Sequence, residues 1–230
     1  MEVTWLGHAA FLLAGADRVL VDPFLTGNPA AALAAEEVDC DMVCVTHAHG
    51  DHVGDAVAVA TRLEVPLVAI YEISVVAEAQ GAEAVGMNVG GSTTVGSTRI
   101  TMTPAVHSSC FVGDGKVEAG GSPAGFVIDA GARVYHAGDT GVFGDMALIG
   151  ELYQPDLALL PIGDFYTMGL REATKATGLL GVDRVIPMHY NTFPMIEQDP
   201  EAFQSMVSEA TGSEVIILRP GQSYELLSQT

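Results

Sequence analysis

The most informative stretch of the sequence spans residues 42–52 and reads Met42-Val43-Cys44-Val45-Thr46-His47-Ala48-His49-Gly50-Asp51-His52. Its first four residues are apolar, which predicts a buried strand. Alternate residues of an extended chain share one side, so His47 and His49 can bind one metal ion together. Because Gly50 bends the chain, Asp51 and His52 point elsewhere and can reach a second ion. The stretch therefore predicts a strand and a turn that supplies ligands to two neighbouring metal ions.

Clustered histidines also have a simpler explanation, because a single histidine is more often a core or surface residue than a ligand. The chain contains only 7 His, yet three of them fall between positions 47 and 52 with an aspartate among them. A His-rich disordered tail can also bind metal, but this cluster stands between a predicted strand and a predicted helix. We therefore interpret it as part of a folded metal site.

Further candidate ligands occur later in the chain. His107, Asp139 and His189 each follow an apolar, strand-like segment, and loops at strand ends are where binding and catalytic residues concentrate. Each has an alternative explanation. Asp139 lies in Gly-Asp-Thr-Gly, which is good turn chemistry, and either histidine could belong to the core.

Taken together, these residues resemble the metallo-β-lactamase superfamily over essentially the whole chain. The signature is His47-x-His49-x-Asp51-His52, followed by His107, Asp139 and His189. Three further segments are similar to a subfamily of metal-dependent hydrolases: Trp5-Leu6-Gly7-His8-Ala9, Tyr135-His136-Ala137-Gly138-Asp139-Thr140-Gly141 and Pro187-Met188-His189-Tyr190-Asn191-Thr192-Phe193-Pro194. That subfamily is itself similar to ascorbate-6-phosphate lactonase and to N-acylphosphatidylethanolamine phospholipase D. The resemblance implies one hydrolase domain over residues 1–230, an α/β (α+β) four-layer αββα sandwich of two mixed β-sheets with helices on the outer faces.

The resemblance also implies a role for each candidate ligand. The first metal ion would be held by His47, His49 and His107, the second by Asp51, His52 and His189, and Asp139 would bridge the two. The residues expected to take part in catalysis are Asp51, Asp139 and His189, with Asp51 as a proton acceptor. Nitrogen and oxygen donors without a thiolate suit two divalent ions, with zinc expected and manganese, iron or nickel as alternatives.

Other residues near these motifs are expected to contact the substrate or to orient a ligand. His8, Tyr190 and Asn191 are candidate substrate contacts, and His8 could instead orient a ligand, whereas a direct metal role for it is disfavoured. His136 is expected to be buried or to orient a ligand.

The implied reaction is metal-dependent hydrolysis, in which two ions share a water that loses a proton near neutral pH and attacks the substrate. Two dications, two aspartates and a hydroxide leave roughly one positive charge, which favours a small, anionic ester or lactone substrate. A metal-dependent phosphodiesterase is the alternative. A non-enzymatic metal-binding protein is a third hypothesis, and no feature of the sequence favours it. Phe165 and Leu170 depart from the subfamily's usual Gly-Asp-Asn-Phe-Thr-Met-Gly-Pro loop, which leaves the substrate contacts of that loop open.

Composition narrows the classes of protein further. The chain has 29 acidic and 9 basic residues, a formal net charge of −20, and this field repels nucleic acid. The 3 Cys form no Cys-x-x-Cys pair, which argues against a disulfide framework. No leader and no membrane-length apolar run is recognised, so a cytoplasmic protein is expected. The expected partner is a small-molecule substrate, and a homo-oligomer is left open.

The acid-rich, lysine-poor composition leads to a prediction about salt. Self-repulsion of the negative surface weakens the fold in dilute buffer, and salt screens it. We therefore expect a halophilic protein whose melting temperature rises from low to molar potassium chloride, measured by circular dichroism. An unchanged melting temperature would count against adaptation to a salt-accumulating host.

Overall fold

Two seven-stranded β-sheets form the centre of the protein in the computed structural model, which describes residues 1–227. The strands in chain order are β1 Glu2–Gly7, β2 Ala10–Ala14, β3 Arg18–Val21, β4 Met42–Cys44, β5 Leu67–Ile70, β6 Ala84–Met87, β7 Ser92–Val95, β8 Thr98–Pro104, β9 Cys110–Gly113, β10 Lys116–Ala119, β11 Ala124–Asp129, β12 Arg133–His136, β13 Leu157–Pro161, β14 Arg184–Met188, β15 Glu214–Val215 and β16 Ser223–Glu225. The α-helices are α1 Gly50–Val53, α2 Ala56–Leu63, α3 Tyr71–Ala79, α4 Met146–Tyr153, α5 Leu170–Leu180 and α6 Pro200–Thr211, with 3₁₀ turns at Ala35–Glu37 and Pro194–Ile196. The predicted fold class is confirmed.

Both large sheets follow the same plan of antiparallel pairing on one side and parallel pairing on the other. The first sheet has the order β16-β1-β2-β3-β4-β5-β6 and is parallel from β3 to β6. The second has the order β15-β14-β13-β12-β11-β8-β7 and is parallel from β12 to β15. Central parallel strands are covered on both faces, which explains why β4, β5 and β13 are continuous apolar runs without alternation.

The helices lie in two groups, one against each sheet. α2 and α3 contact β4, β5 and β6 of the first sheet, whereas α5 contacts β13 and α6 contacts β15 of the second. The buried apolar side chains of both sheets form one core. Phe11 of β2 and His136 of β12 meet with ring centroids 5.8 Å apart, so the two sheets are in direct contact. Within residues 1–227, the helices are all too short or too polar to cross a membrane.

The sequence predicts one helix from Asp51 to about Leu63, and the structure has two, α1 and α2, separated at Gly54. Gly54 has φ of +35°, and a Cβ on it would lie 2.5 Å from the carbonyl oxygen of Pro23. The chain therefore breaks here because the backbone of residue 54 packs directly against the loop at residues 23 and 24.

Three other regions differ from the sequence prediction. Residues 113–123 are predicted as a loop, but β10 pairs with β9 in a hairpin turning through Asp114 and Gly115. Both turn residues have positive φ, which is the geometry that Asp-Gly favours in a two-residue hairpin. Helix α4 is not predicted at all, and the predicted strand Val215–Leu218 is reduced to the short β15.

The break at Gly54 generates a prediction for stability. Gly54→Ala adds a Cβ against backbone atoms at a positive φ, so we expect a destabilisation of about 1–3 kcal/mol. Gly144→Ala is the matched control, because a Cβ at Gly144 meets no atom within 4 Å. Urea unfolding of both variants measures the difference, and equal midpoints would show that the close approach at Gly54 does not constrain the fold.

Candidate metal centre

Loops that follow strands of both sheets converge at one edge of the molecule, where they place all seven predicted ligands. His47 and His49 follow β4, Asp51 and His52 lie in α1, and His107, Asp139 and His189 follow β8, β12 and β14 respectively. These donors fall into groups in which each ligand atom lies within 4.8 Å of the others. Contributions from both sheets mean that the site is complete only when the sheets are packed together.

The first group contains His47, His49 and His107. Nε2 of His47 lies 2.9 Å from Nδ1 of His49, so the two rings present different nitrogens to the same point. The outer nitrogen of His49, Nε2, lies 3.5 Å from Oγ of Ser108. This group coincides with the predicted ligand set of the first ion.

The second group contains Asp51, His52 and His189, together with His8. Oδ2 of Asp51 lies 3.2 Å from Nε2 of His8 and 3.8 Å from Nε2 of His189. The group includes the predicted ligand set of the second ion and adds His8, for which the sequence disfavours a metal role. His8 has the position of a further ligand or of a group that orients Asp51.

Asp139 lies between the two groups. Its Oδ2 is 3.0 Å from Nε2 of His189, 3.3 Å from Nε2 of His52 and 3.6 Å from Nε2 of His107. The side chain is only 3% exposed. One carboxylate therefore faces histidines of both groups, which is the position that a bridging ligand requires.

Asp22 is the residue that sequence reasoning misses. Its Oδ1 accepts a hydrogen bond from the backbone NH of Thr46 at 2.8 Å, and its Oδ2 accepts one from Oγ1 of Thr46 at 2.6 Å. Oδ2 also accepts from Nδ1 of His52 at 2.8 Å. Since the Thr46 hydroxyl donates to Asp22, it accepts from Nδ1 of His47 at 3.0 Å. This arrangement puts the ring protons of His47 and His52 on Nδ1. The lone pair on Nε2 of each ring is then free to bind a metal ion.

The main chain of His8 joins the two sheets at the site. The carbonyl oxygen of His8 accepts a hydrogen bond from the backbone NH of His189 at 2.9 Å and another from Nε1 of Trp5 at 3.0 Å. His8, Asp22 and His189 all have positive φ, between +46° and +55°. Left-handed backbone at non-glycine residues costs on the order of 1 kcal/mol each and is commonly found at functional sites. The strain is located where the ligands are held.

Burial and neighbouring charges set the protonation of the ligands. Desolvation lowers the pKa of His8 to about 4 and lowers the pKa values of His47, His49 and His107. Four imidazoles therefore carry free lone pairs at neutral pH, as metal binding requires.

The remaining ligands are coupled by their charges. Burial opposes charge on His189, but Asp139 outweighs it and raises the pKa of His189 to about 9. His52 behaves in the same way, and burial of Asp139 is outweighed by these histidines, so its pKa is well below the usual value. A bound cation would take the place of these protons beside Asp139.

Unpaired polar atoms provide a test of whether metal ions fit this site. Among the described residues, buried side-chain atoms without a well-directed hydrogen bond include Nε2 of His52, both ring nitrogens of His189 and Oδ1 of Asp139. Buried polar atoms are normally paired, and unpaired ones are costly. His52, His189 and Asp139 belong to the donor groups and each offers one ligand atom, so coordination to divalent ions would satisfy Nε2 of His52, one ring nitrogen of His189 and the Asp139 carboxylate.

The remaining predicted residues lie outside the donor groups. His136 is buried, with Nε2 2.9 Å from the carbonyl oxygen of Ala9 and Nδ1 accepting from the NH of Gly138 at 3.1 Å. The structure does not bring Tyr190 and Asn191 to the pocket. Tyr190 is buried and stacks on Trp5 at 5.4 Å, and Oδ1 of Asn191 accepts from the NH of Gln198. Substrate contact by these two residues is not supported by this geometry.

A cavity of about 430 Å³ opens onto the donors. Its walls are formed by His49, Asp51, His107, Ser108, Asp139, Tyr166, His189, Phe193 and Met195. The volume is near the lower end of the range for small-molecule pockets, about 300–1,000 Å³. The arrangement can therefore hold a small molecule against cations bound by the histidines and aspartates.

Comparison with known proteins identifies the class. The family model described as "Beta-lactamase superfamily domain" matches residues 17–190. The chain belongs to the metallo-β-lactamase superfamily and is a metal-dependent hydrolase.

Individual relatives are similar to this chain over nearly its whole length. The chain is 53% identical to a UPF0173 metal-dependent hydrolase of Archaeoglobus fulgidus over 98% of this chain and 99% of the relative. It is 56% identical to a UPF0173 metal-dependent hydrolase of Methanopyrus kandleri, covering 98% of this chain and all of that protein (100%). The solved structure of Igni18, a metallo hydrolase from Ignicoccus hospitalis, superimposes with a TM-score of 0.87 at 40% identity, over 97% of this chain and 98% of that one.

The position of Asp22 generates a prediction for metal affinity. In Asp22→Asn, an NH₂ group replaces one of the two oxygens, so the side chain can no longer accept all three hydrogen bonds from the NH and hydroxyl of Thr46 and from Nδ1 of His52, and the ring orientation of His47 and His52 is weakened. Changes to such partners of metal ligands typically cost about 10- to 100-fold in metal affinity, and chelator competition with zinc measures the loss.

The matched control is Asp39→Asn, because Asp39 pairs with Arg18 on the surface, away from the donors. Asp39→Asn should bind zinc as the wild type does. Wild-type affinity in Asp22→Asn would show that Asp22 does not orient the ligands.

Proposed function

We propose that this chain is one domain that hydrolyses a small ester or lactone with two divalent metal ions, zinc being the expected pair. The observation that carries the proposal is Asp139, whose Oδ2 faces histidines of both donor groups at 3.0–3.6 Å on the floor of a small cavity. A carboxylate in that position is suited to two neighbouring ions.

The donor groups would hold one ion each. His47, His49 and His107 would bind the first and Asp51, His52 and His189 the second, with Asp139 shared. Bound divalent ions supply a water of lowered pKa and stabilise negative charge on the carbonyl oxygen of the substrate. The chain itself holds the rings of His47 and His52 in the tautomer with the proton on Nδ1, because Thr46 and Asp22 accept hydrogen bonds from these nitrogens.

Asp51 is the proposed proton acceptor. It lines the cavity, and the histidines beside it outweigh its burial and keep its pKa below the usual value, so it is charged at neutral pH. In ester hydrolysis the water oxygen bonds to the carbonyl carbon while a proton passes to Asp51. The carbon–oxygen bond then breaks, the proton goes to the leaving alkoxide, and the products are a carboxylic acid and an alcohol.

Phosphodiester hydrolysis is the weaker candidate. The same ions support it, but among the described residues that line the cavity there is no Lys or Arg to pair with a phosphate. An anionic group on the substrate would have to face the cations themselves. Together with the net charge of −20, this favours the ester or lactone reaction over cleavage of nucleic acid.

Loss of Asp139 should remove activity. Asp139→Ala deletes the carboxylate shared by both donor groups, so we expect the rate of metal-loaded protein on a lactone and ester panel to fall by more than about 100-fold. Bound metal per chain, measured by elemental analysis, should fall as well.

Asp129→Ala is the control, because Asp129 is exposed at the end of β11, and its rate should match the wild type. Rapid turnover of bis-p-nitrophenyl phosphate with no activity on any ester or lactone would overturn the proposed reaction in favour of the phosphodiesterase.

A further inference from the structure

One wall of the cavity is apolar and comes from two loops of the second sheet. Tyr166 belongs to the loop after β13, and Phe193 and Met195 belong to the loop after β14. Tyr166 is 49% exposed and Met195 54% exposed, and Phe165 beside them is 67% exposed. Large apolar side chains gathered around the mouth of a pocket commonly mark a ligand surface.

The two loops meet and form one continuous surface. Oη of Tyr166 lies 4.0 Å from Sδ of Met195. Phe193 lies deeper, with its ring 5.6 Å from that of His8 and 6.4 Å from that of Phe24. The wall therefore runs from the donors of the second group to the mouth, and a group attached to the reacting carbonyl would lie along it.

The charges around the cavity also favour a substrate whose substituent is apolar. Among the described residues lining the cavity there is no Lys or Arg, and its histidines all belong to the donor groups. Several arginines are engaged elsewhere: Arg18 pairs with Asp41, Arg62 donates to the carbonyl oxygens of Ala35 and Val38, and Arg133 donates to that of Tyr153. A phosphate at the far end of a substrate would meet an apolar wall in a strongly negative protein, without a cationic partner.

We infer that the substrate is an ester or lactone with an apolar substituent, alkyl or aryl, and without a phosphate remote from the reacting carbonyl. This inference rests on the proposed function and names the substrate class for it. Tyr166, Phe193 and Met195 bind the substituent, and the donor groups face the carbonyl, where water is added across the carbon–oxygen bond as described above.

Chain-length dependence tests the inference in the metal-loaded protein. We expect kcat/KM to rise about fourfold for each methylene group that the wall buries, from acetyl to hexanoyl p-nitrophenyl esters. In the double variant Tyr166→Ala with Met195→Ala, the ratio of hexanoyl to acetyl ester should fall at least tenfold. Met195→Leu should keep the ratio, and Leu152→Ala, a change at a 66% exposed residue of α4, should leave it unchanged.

A binding measurement separates this inference from the proposed reaction. Calorimetric titration of metal-loaded protein requires no turnover. Acetate serves as the short ligand, hexanoate as the ligand with an apolar chain, and 6-phosphogluconate as the ligand with a phosphate remote from its carboxylate. We expect hexanoate to bind most tightly and to lose this advantage in the double variant. If esters are not hydrolysed but hexanoate is preferred, the reaction is wrong and the apolar site stands. Tighter binding of 6-phosphogluconate, or a chain-length ratio unchanged in the double variant, would overturn the inference.

Discussion

The hydrogen bonds of one buried carboxylate, Asp22, fix the orientation of two histidines, His47 and His52, one in each donor group. Asp22 accepts from the NH and hydroxyl of Thr46 and from Nδ1 of His52 at 2.6–2.8 Å. A buried charge is costly unless it is paired and hydrogen-bonded, and here three donors satisfy it. Through Thr46 it reaches His47 of the first donor group, and through His52 it reaches the second. A single side chain from the loop after β3 thus sets the ring orientation of one histidine in each donor group.

The second constraint is that the centre lies where the two sheets meet. The first sheet carries His47 and His49 after β4, whereas the second carries Asp139 after β12 and His189 after β14. The hydrogen bond from the NH of His189 to the carbonyl oxygen of His8 ties these parts together at 2.9 Å. Packing of the apolar faces therefore supplies the free energy that holds polar donors close together, including the strained backbone of His8 and His189.

The sequence predicts which potential donors the fold brings together, because metal chemistry restricts residue type and spacing. Two histidines that alternate just after an apolar strand, with an aspartate and a third histidine after the next glycine, can be recognised without a structure, and the same holds for the apolar parallel strands. Asp22 could not be recognised, since an aspartate before Pro23 looks like an ordinary strand-ending turn and only its burial reveals its role. The direction of the Tyr190 ring is hidden from the sequence for a related reason: Tyr190 is adjacent to His189, but its ring stacks on Trp5 in the core.

The cavity wall illustrates what spacing alone does not contain. Tyr166 and Met195 are 29 positions apart in the sequence, and nothing in either loop indicates that they face each other. Their meeting depends on β13 and β14 being neighbours in the second sheet, which brings the loops after those strands together. The substrate class is therefore a property of the tertiary structure, whereas the metal chemistry can be read from the motif.

We propose that the two donor groups hold two ions with Asp139 between them. Anomalous diffraction from a crystal grown with zinc, collected on both sides of the zinc absorption edge, tests it most directly. We expect two peaks per chain about 3.5–4 Å apart, one beside His47, His49 and His107 and the other beside Asp51, His52 and His189. A single peak, or peaks remote from Asp139, would contradict it.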